Sequence, residues 1–284
     1  MEDALWKKVT RLVPAHNAGD SRCWYSHRNI VLTALWAILH DRPMVWACDP
    51  ANWPGRYRPQ RLPTQSTLSR RMSSKGINCV IRGVFQRICV EAGPVGEVGY
   101  VDGCALRVGG ASKDRHARRG RAVGGFAKGY KLHALADSQG FIRDFRVMPL
   151  NRNEVPVMRR LVETTPELPL RIVGDKEYDG VKLHRQCQAR GSKLYAMPRG
   201  GRVGRRNQPE RRKCLEFLLT EAGQRLLRSR TAIERVFSRL KSVGFGLKEL
   251  PAWTRTLRRV RAWITGKVLL YNVHVLMTRA KGHA

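Results

Sequence analysis

Between Val98 and Met197 the chain alternates apolar runs of two different periods, and their order restricts the fold more than any other feature. Val98–Val101, Phe126–Ala136 and Phe141–Met148 alternate every second residue, as half-buried strands do. Asp137, Ser138, Gln139 and Gly140 between the last two form a hairpin signal. Asn153, Glu154 and Pro156 open a helix to about Thr164, since proline is tolerated in a first turn. Leu170–Val173 is a buried strand that ends on Gly174 and Asp175. Asp179 can cap a helix over roughly 180–190, which Gly191 stops, and Lys193–Met197 makes a fifth strand. Three strands, helix, strand, helix, strand, helix is the order of an α/β sheet flanked by helices.

A different texture precedes it. Residues 1–93 read as mainly helical, closed by Gly93 and Pro94, which we take as the boundary of a domain over 94–284 that includes a C-terminal helix over about 254–277. Thr64 is a plausible N-cap, and the helix it opens carries Arg70 and Arg71 in the manner of a recognition helix, so a helix-turn-helix around 58–75 is a candidate. Many surface helices begin the same way.

Charge decides what such a chain meets. With 54 Lys and Arg against 22 Asp and Glu, the net charge is +32, and nucleic acid is the obvious polyanion. A membrane surface is the rival, but no basic amphipathic anchor and no long apolar run supports it. The opening Met1–Trp6 lacks a charged leader before an apolar core, so no secretory signal is expected. Seven cysteines, an odd number without a C-x-x-C pair, suit reduced thiols in a cytoplasm rather than disulfides or a zinc ribbon. Residues 109–125 and 199–213 are Gly- and Arg-rich and read as mobile basic loops.

Residues 230–241 form one helix in which Arg230, Glu234 and Lys241 share a face and Ile233, Val236, Phe237 and Leu240 share another. Alone, that polar stripe is an ion-pair ladder worth a few tenths of a kcal/mol per pair, ~0.3. Asp102 and Asp175, read as the last residues of their strands, change its meaning. Side chains at strand ends escape the packed layers, and these two acids with Glu234 would make an oxygen-only site suited to Mg²⁺ or Mn²⁺. Three converging carboxylates would repel one another without a cation between them. Cys104 has no accompanying base, and Gly109-Gly110 and Gly124-Gly125 lack the context of a nucleotide-binding loop. Trp53 and Trp253, beside prolines, could be core or could stack on DNA.

From about Val98 to Met277 the chain resembles the DDE transposases of bacterial insertion sequences, whose catalytic core is RNase H-like. Tyr100-Val101-Asp102-Gly103 resembles the first acidic motif, Gly129–His133 with the 137–140 turn the second and third strands, and Val173-Gly174-Asp175 the second acidic motif. Arg230, Glu234 and Lys241 match the C-terminal signature, except that Leu227 replaces its usual tyrosine; Glu177 stands where many relatives have glycine.

The resemblance implies an RNase H-like mixed five-stranded sheet. It implies that Asp102, Asp175 and Glu234 are catalytic ligands of two Mg²⁺ or Mn²⁺ ions. Arg230 and Lys241 would contact DNA phosphates, and Lys131, His133, Arg70 and Arg71 are further DNA-contact candidates. The implied activity is cleavage at the element's terminal inverted repeats and strand transfer into target double-stranded DNA, by at least a homodimer in the cytoplasm at the nucleoid. A non-catalytic, domesticated DNA-binding regulator and a nuclease or resolvase without strand transfer are the alternatives.

Overall fold

The computed structural model describes residues 1–15, 24–198, 209–247 and 249–282; of the basic stretch 199–213, residues 199–208 lie outside them, and 209–213 are helical and not a loop. Two compact units result: Met1–Gly93 with Ser242–Thr254 and Arg258–Ala284, and Pro94–Lys241 with Arg255–Leu257.

The first unit is helical. Its helices are α1 (Glu2–Leu12), α2 (His27–Leu39), α3 (Gln65–Arg71), α4 (Lys75–Glu91) and, from the far end of the chain, α10 (Leu257–Gly282). Every residue of α2 from Ile30 to Leu39 is buried, which explains an apolar run without an amphipathic stripe. Gly266 lets α10 approach it: a Cβ there would stand 2.5 Å from Cδ1 of Ile38. The C-terminal helix, grouped on sequence with residues 94–284, thus packs in the first unit, because α2 needs apolar cover on all sides. Trp53 is core as well, stacked on Trp36 at 4.7 Å with its indole N–H donated to the Ala47 carbonyl, so it is not a DNA-stacking side chain. Thr64 caps α3 by accepting from the Thr67 N–H at 3.4 Å.

The second unit is a mixed sheet of β1 (Val98–Arg107), β2 (Arg118–Ala122), β3 (Gly125–Asp137), β4 (Ile142–Pro149), β5 (Arg171–Val173) and β6 (Lys193–Tyr195). The order is β2-β3-β1-β5-β6, with β4 also on β3; β1, β3 and β4 are antiparallel and β5 and β6 run parallel to β1. β2 pairs with 125–129 of β3 and β4 with 130–136, so the two share one edge of that strand. This is the mixed α/β arrangement of an RNase H-like core, with one additional short strand. β2 falls where a mobile basic loop was expected. It pairs because β3 extends beyond β4, and because Gly120 lies so close to the Leu150 carbonyl (a Cβ would come within 2.5 Å) that only glycine fits.

Helices α5 (Glu154–Thr164) and α6 (Val181–Ala189) cover one sheet face, where Val101, Leu135, Ile172 and Leu194 meet Met158, Leu161, Val162, Leu183 and Cys187. The helical region before Glu234 is broken into α7 (Pro209–Leu219), α8 (Glu221–Arg228) and α9 (Thr231–Ser242). Thr220 caps α8 through the Gly223 N–H at 3.1 Å, and Gly223 passes so near Phe217 that a Cβ would stand 2.0 Å from its carbonyl oxygen. On α9, Ile233, Val236, Phe237 and Leu240 are all buried, as their spacing predicts.

Candidate active site

Asp102 lies in the middle of β1, not at its end, because the strand continues along β3 to Arg107. On its other side, however, β1 pairs with β5 only through Val98, Gly99 and Tyr100. Carrying that register two residues further sets Asp175 level with Asp102 at the point where the strands part. This is the sheet edge at which side chains become available.

Asp175 leaves β5 and caps a short 3-10 turn, Lys176–Tyr178, by accepting from the Glu177 N–H at 2.8 Å. Asp102 accepts from the Gly103 N–H at 2.7 Å. Burial pushes the Asp102 carboxyl up to about 6, with Asp175 and Glu154 adding to the rise against Arg230. Asp175 is raised too, chiefly by burial, with Glu154 and Glu177 contributing. Both acids are held where their charge is under-compensated.

Arg230 stands between the sheet and α9. Its guanidinium donates to Asp102 Oδ2 at 3.4 Å and to Glu234 Oε1 at 2.9 Å. Glu234 itself is half exposed at 54%. Lys241 is exposed at the other end of α9, beside the buried Cys104 of β1. The Arg230 N–H bonds to the carbonyl of Leu227, which lies half-buried in the last turn of α8. The structure thus brings Asp102 and Asp175 level and links Asp102 to Glu234 through Arg230. Among the described residues no three His, Cys, Asp or Glu side chains form a group able to hold a metal ion.

Glu154 was missed as a site residue. Its place at the start of α5 reads in sequence only as a helix opening, yet its charge bears on both aspartates. Burial would raise its carboxyl, but the Lys131 ammonium at 2.6 Å and the Tyr178 hydroxyl bring it below the usual range. Lys131 is therefore committed to Glu154, and both side chains are mostly buried. His133 is 1% exposed, and burial lowers it to about 4, leaving a neutral ring. The Lys131 and His133 side chains, expected on sequence as DNA-contact candidates, thus lie largely out of solvent. Asp179 does not cap α6, whose N-cap is Gly180; it pairs with Arg211 at 2.5 Å and with His184 at 3.4 Å. Arg70 and Arg71 close the last turn of α3 in the other unit, where cations suit the helix dipole.

The chain belongs to the DDE transposase family: residues 93–273 match the family model described as transposase DDE domain. A search of the curated proteins gave no match. Among solved structures, a cryo-EM structure of piggyBac transposase in a synaptic complex with hairpin DNA is similar over 99% of this chain and 74% of that one, at 12% identity and a TM-score of 0.48. Among the described residues no helix is long and apolar enough to cross a membrane.

Proposed function

We propose that the chain is an active DNA transposase of a bacterial insertion sequence, with Asp102, Asp175 and Glu234 as its catalytic carboxylates. The observation that carries this reading is the pair Asp102 and Asp175, level where β1 and β5 part and both raised by burial, within the matched transposase region. A divalent cation fits that donor set. The ligands are hard oxygens, and their charge is left short of positive partners in a chain with 54 Lys and Arg. Asp102, Asp175 and Glu234 would hold Mg²⁺ or Mn²⁺, as two ions. When bound, such ions make an attacking hydroxyl more acidic and stabilise the leaving oxygen of a phosphodiester.

The chain's own residues would position the reactants. Arg230, shared between Asp102 and Glu234, and Lys241 supply fixed positive charge for phosphate oxygens. In the first step a water loses a proton as its oxygen bonds to phosphorus, the bond to the element's 3′ oxygen breaks, and that oxygen takes up a proton. In the second, the freed 3′-hydroxyl loses its proton, bonds to a target phosphorus, and displaces the target's 3′ oxygen, which is protonated in turn. One site serves both steps because only the attacking hydroxyl changes. The helical unit that carries Arg70 and Arg71 would bind the terminal inverted repeats, and two copies would pair the two ends.

The test incubates the full chain with the DNA flanking its reading frame and Mg²⁺. Nicked ends together with products joined to a second duplex are expected. Nicks without joining would leave a nuclease or resolvase, and binding without either would leave a regulator.

A further inference from the structure

The β2–β3 hairpin has a construction that the reaction chemistry does not use. Its turn is Val123-Gly124, with Ala122 opposite Gly125. Gly124, the second turn residue, and Gly125, the first residue of β3, both adopt positive φ (79° and 123°), a region glycine enters without a side-chain clash. The register sets Arg121 opposite Phe126 and Arg119 opposite Lys128. Opposed residues and second neighbours along a strand share a face. Arg119, Arg121, Phe126 and Lys128 therefore project together. The opposite face carries Gly120 and Ala122, and Gly120 lies tight against Leu150.

The mount is firm. Arg107 donates to the Val123 carbonyl. Lys128 donates to the Ser112 carbonyl at 2.5 Å. Asp114, the only acid between Arg107 and Lys128, is buried at 4% exposure and engaged by the Tyr130 hydroxyl at 2.6 Å and the Thr256 N–H at 2.9 Å. No exposed carboxylate in that stretch offsets the arginines. At the tip, by contrast, Val123 is 90% and Phe126 80% exposed. A phenylalanine left in water forgoes its burial, and apolar side chains rimmed by charge mark interaction surfaces.

We propose that this hairpin inserts into double-stranded DNA, with Arg119 and Arg121 on phosphates and Phe126 as a wedge entering the base stack. A two-stranded ribbon is an object a DNA groove admits, and apolar wedges flanked by arginines unstack and kink duplexes. The charge excludes a basic partner, and the paired cation-and-ring face fits a polyanion with stackable bases better than an apolar protein surface. Phe126 lies eight residues along β3 from Ala134, the partner of Asp102. At strand rise that is on the order of 27 Å, so the distortion belongs about eight base pairs from the cleaved phosphate. The proposal rests on the transposase reading and adds a DNA-deforming element to it.

The experiment uses the full chain and a thymine-rich duplex with the sequence flanking the reading frame. Permanganate oxidises unstacked thymines. The wild type is expected to create a hyperreactive thymine about eight base pairs from its nick, and Phe126→Ala to remove it while changing Kd by less than about threefold. Because Phe126 is exposed, that variant does not threaten folding. Arg119→Ala with Arg121→Ala should weaken binding to every duplex and flatten the dependence of log K on log salt by about 2. A benzophenone amino acid at position 126 should give a DNA adduct on irradiation. Equal thymine reactivity in the wild type and Phe126→Ala, or an adduct to a second protein chain instead of DNA, overturns the hairpin proposal. A wild type that binds and nicks DNA but unstacks nothing overturns it alone; a wild type that binds no duplex overturns the transposase reading with it.

Discussion

Asp102 and Asp179 sit in the same unit of a strongly basic chain, and their surroundings treat them in opposite ways. Asp179 is 4% exposed, held by Arg211 and His184, and although burial alone would raise it, those partners lower it to about 2. Asp102 has one N–H and a long contact to Arg230, and burial wins, raising it to about 6. Asp137 is also saturated by a partner, its side chain 0% exposed against Arg143 at 2.6 Å, whereas Asp175, like Asp102, is raised by burial. Cations are plentiful in this sequence, so an under-neutralised pair of acids reflects arrangement rather than shortage. Structural carboxylates are saturated by the protein; the candidate catalytic ones are left short of charge that a bound ion can supply.

The largest expected effect breaks this comparison at its functional end. Asp102→Asn or Asp175→Asn should lower Mg²⁺-dependent DNA cleavage by about 10³-fold or more, the scale of losing the main charge stabilisation at a reacting centre. The same substitutions should make the cation-free protein more stable. A carboxylate raised to about 6 when folded costs stability above that pH, here about 1–3 kcal/mol for Asp102. Gel assays of cleavage and chemical denaturation of the same preparations read both signs; a variant that loses stability together with activity would place Asp102 among the structural acids. Asp179→Asn should do the reverse. It breaks a mostly buried ion pair with Arg211, and about 3–5 kcal/mol of unfolding free energy should go, while protein that remains folded still cleaves.

Where side-chain period and local turn chemistry decide, the structure is legible in the sequence. The buried stripe of α9, the turn at Asp137 and the cap at Thr64 all follow from neighbours in the chain. So does the place of Asp175 just past a buried strand, whereas Asp102, expected at a strand end, lies inside β1 because its pairing with β3 runs on to Arg107. What was not legible depends on partners far away. β2 has no apolar alternation and exists because Gly120 can lie on Leu150. Glu154 looks like any acid in a first helical turn until Lys131, 23 residues earlier, is seen to hold it at the aspartates. The break between α7 and α8 depends on how closely Gly223 approaches Phe217. α10 has apolar residues at helical spacing, but spacing does not say which core receives them.

A smaller effect tests the structural end through pH. Asp179 is lower in the folded state, at about 2, than its ordinary 3.8, so its contribution is full above about pH 4 and fades as pH falls toward 2. The stability gap between wild type and Asp179→Asn should therefore hold from pH 7 to pH 5 and narrow by about 1 kcal/mol by pH 3. A gap that stayed constant would mean the loss comes from packing and not from the ion pair.

Glu234 supplies the smallest stability effect and the sharpest contrast with Asp179. It is half exposed and joined to Arg230 in a surface i,i+4 pair, an arrangement worth about 0.3–0.5 kcal/mol. Glu234→Gln should therefore shift the denaturation midpoint by no more than that amount. If Glu234 is the third ligand, Mg²⁺-dependent cleavage and joining should nonetheless fall as steeply as in Asp102→Asn, with duplex binding retained in a gel-shift titration. Unimpaired strand transfer by Glu234→Gln would return Arg230–Glu234 to an ordinary ion pair. It would also leave Glu154, the buried acid whose charge already bears on both aspartates, as the carboxylate to test next.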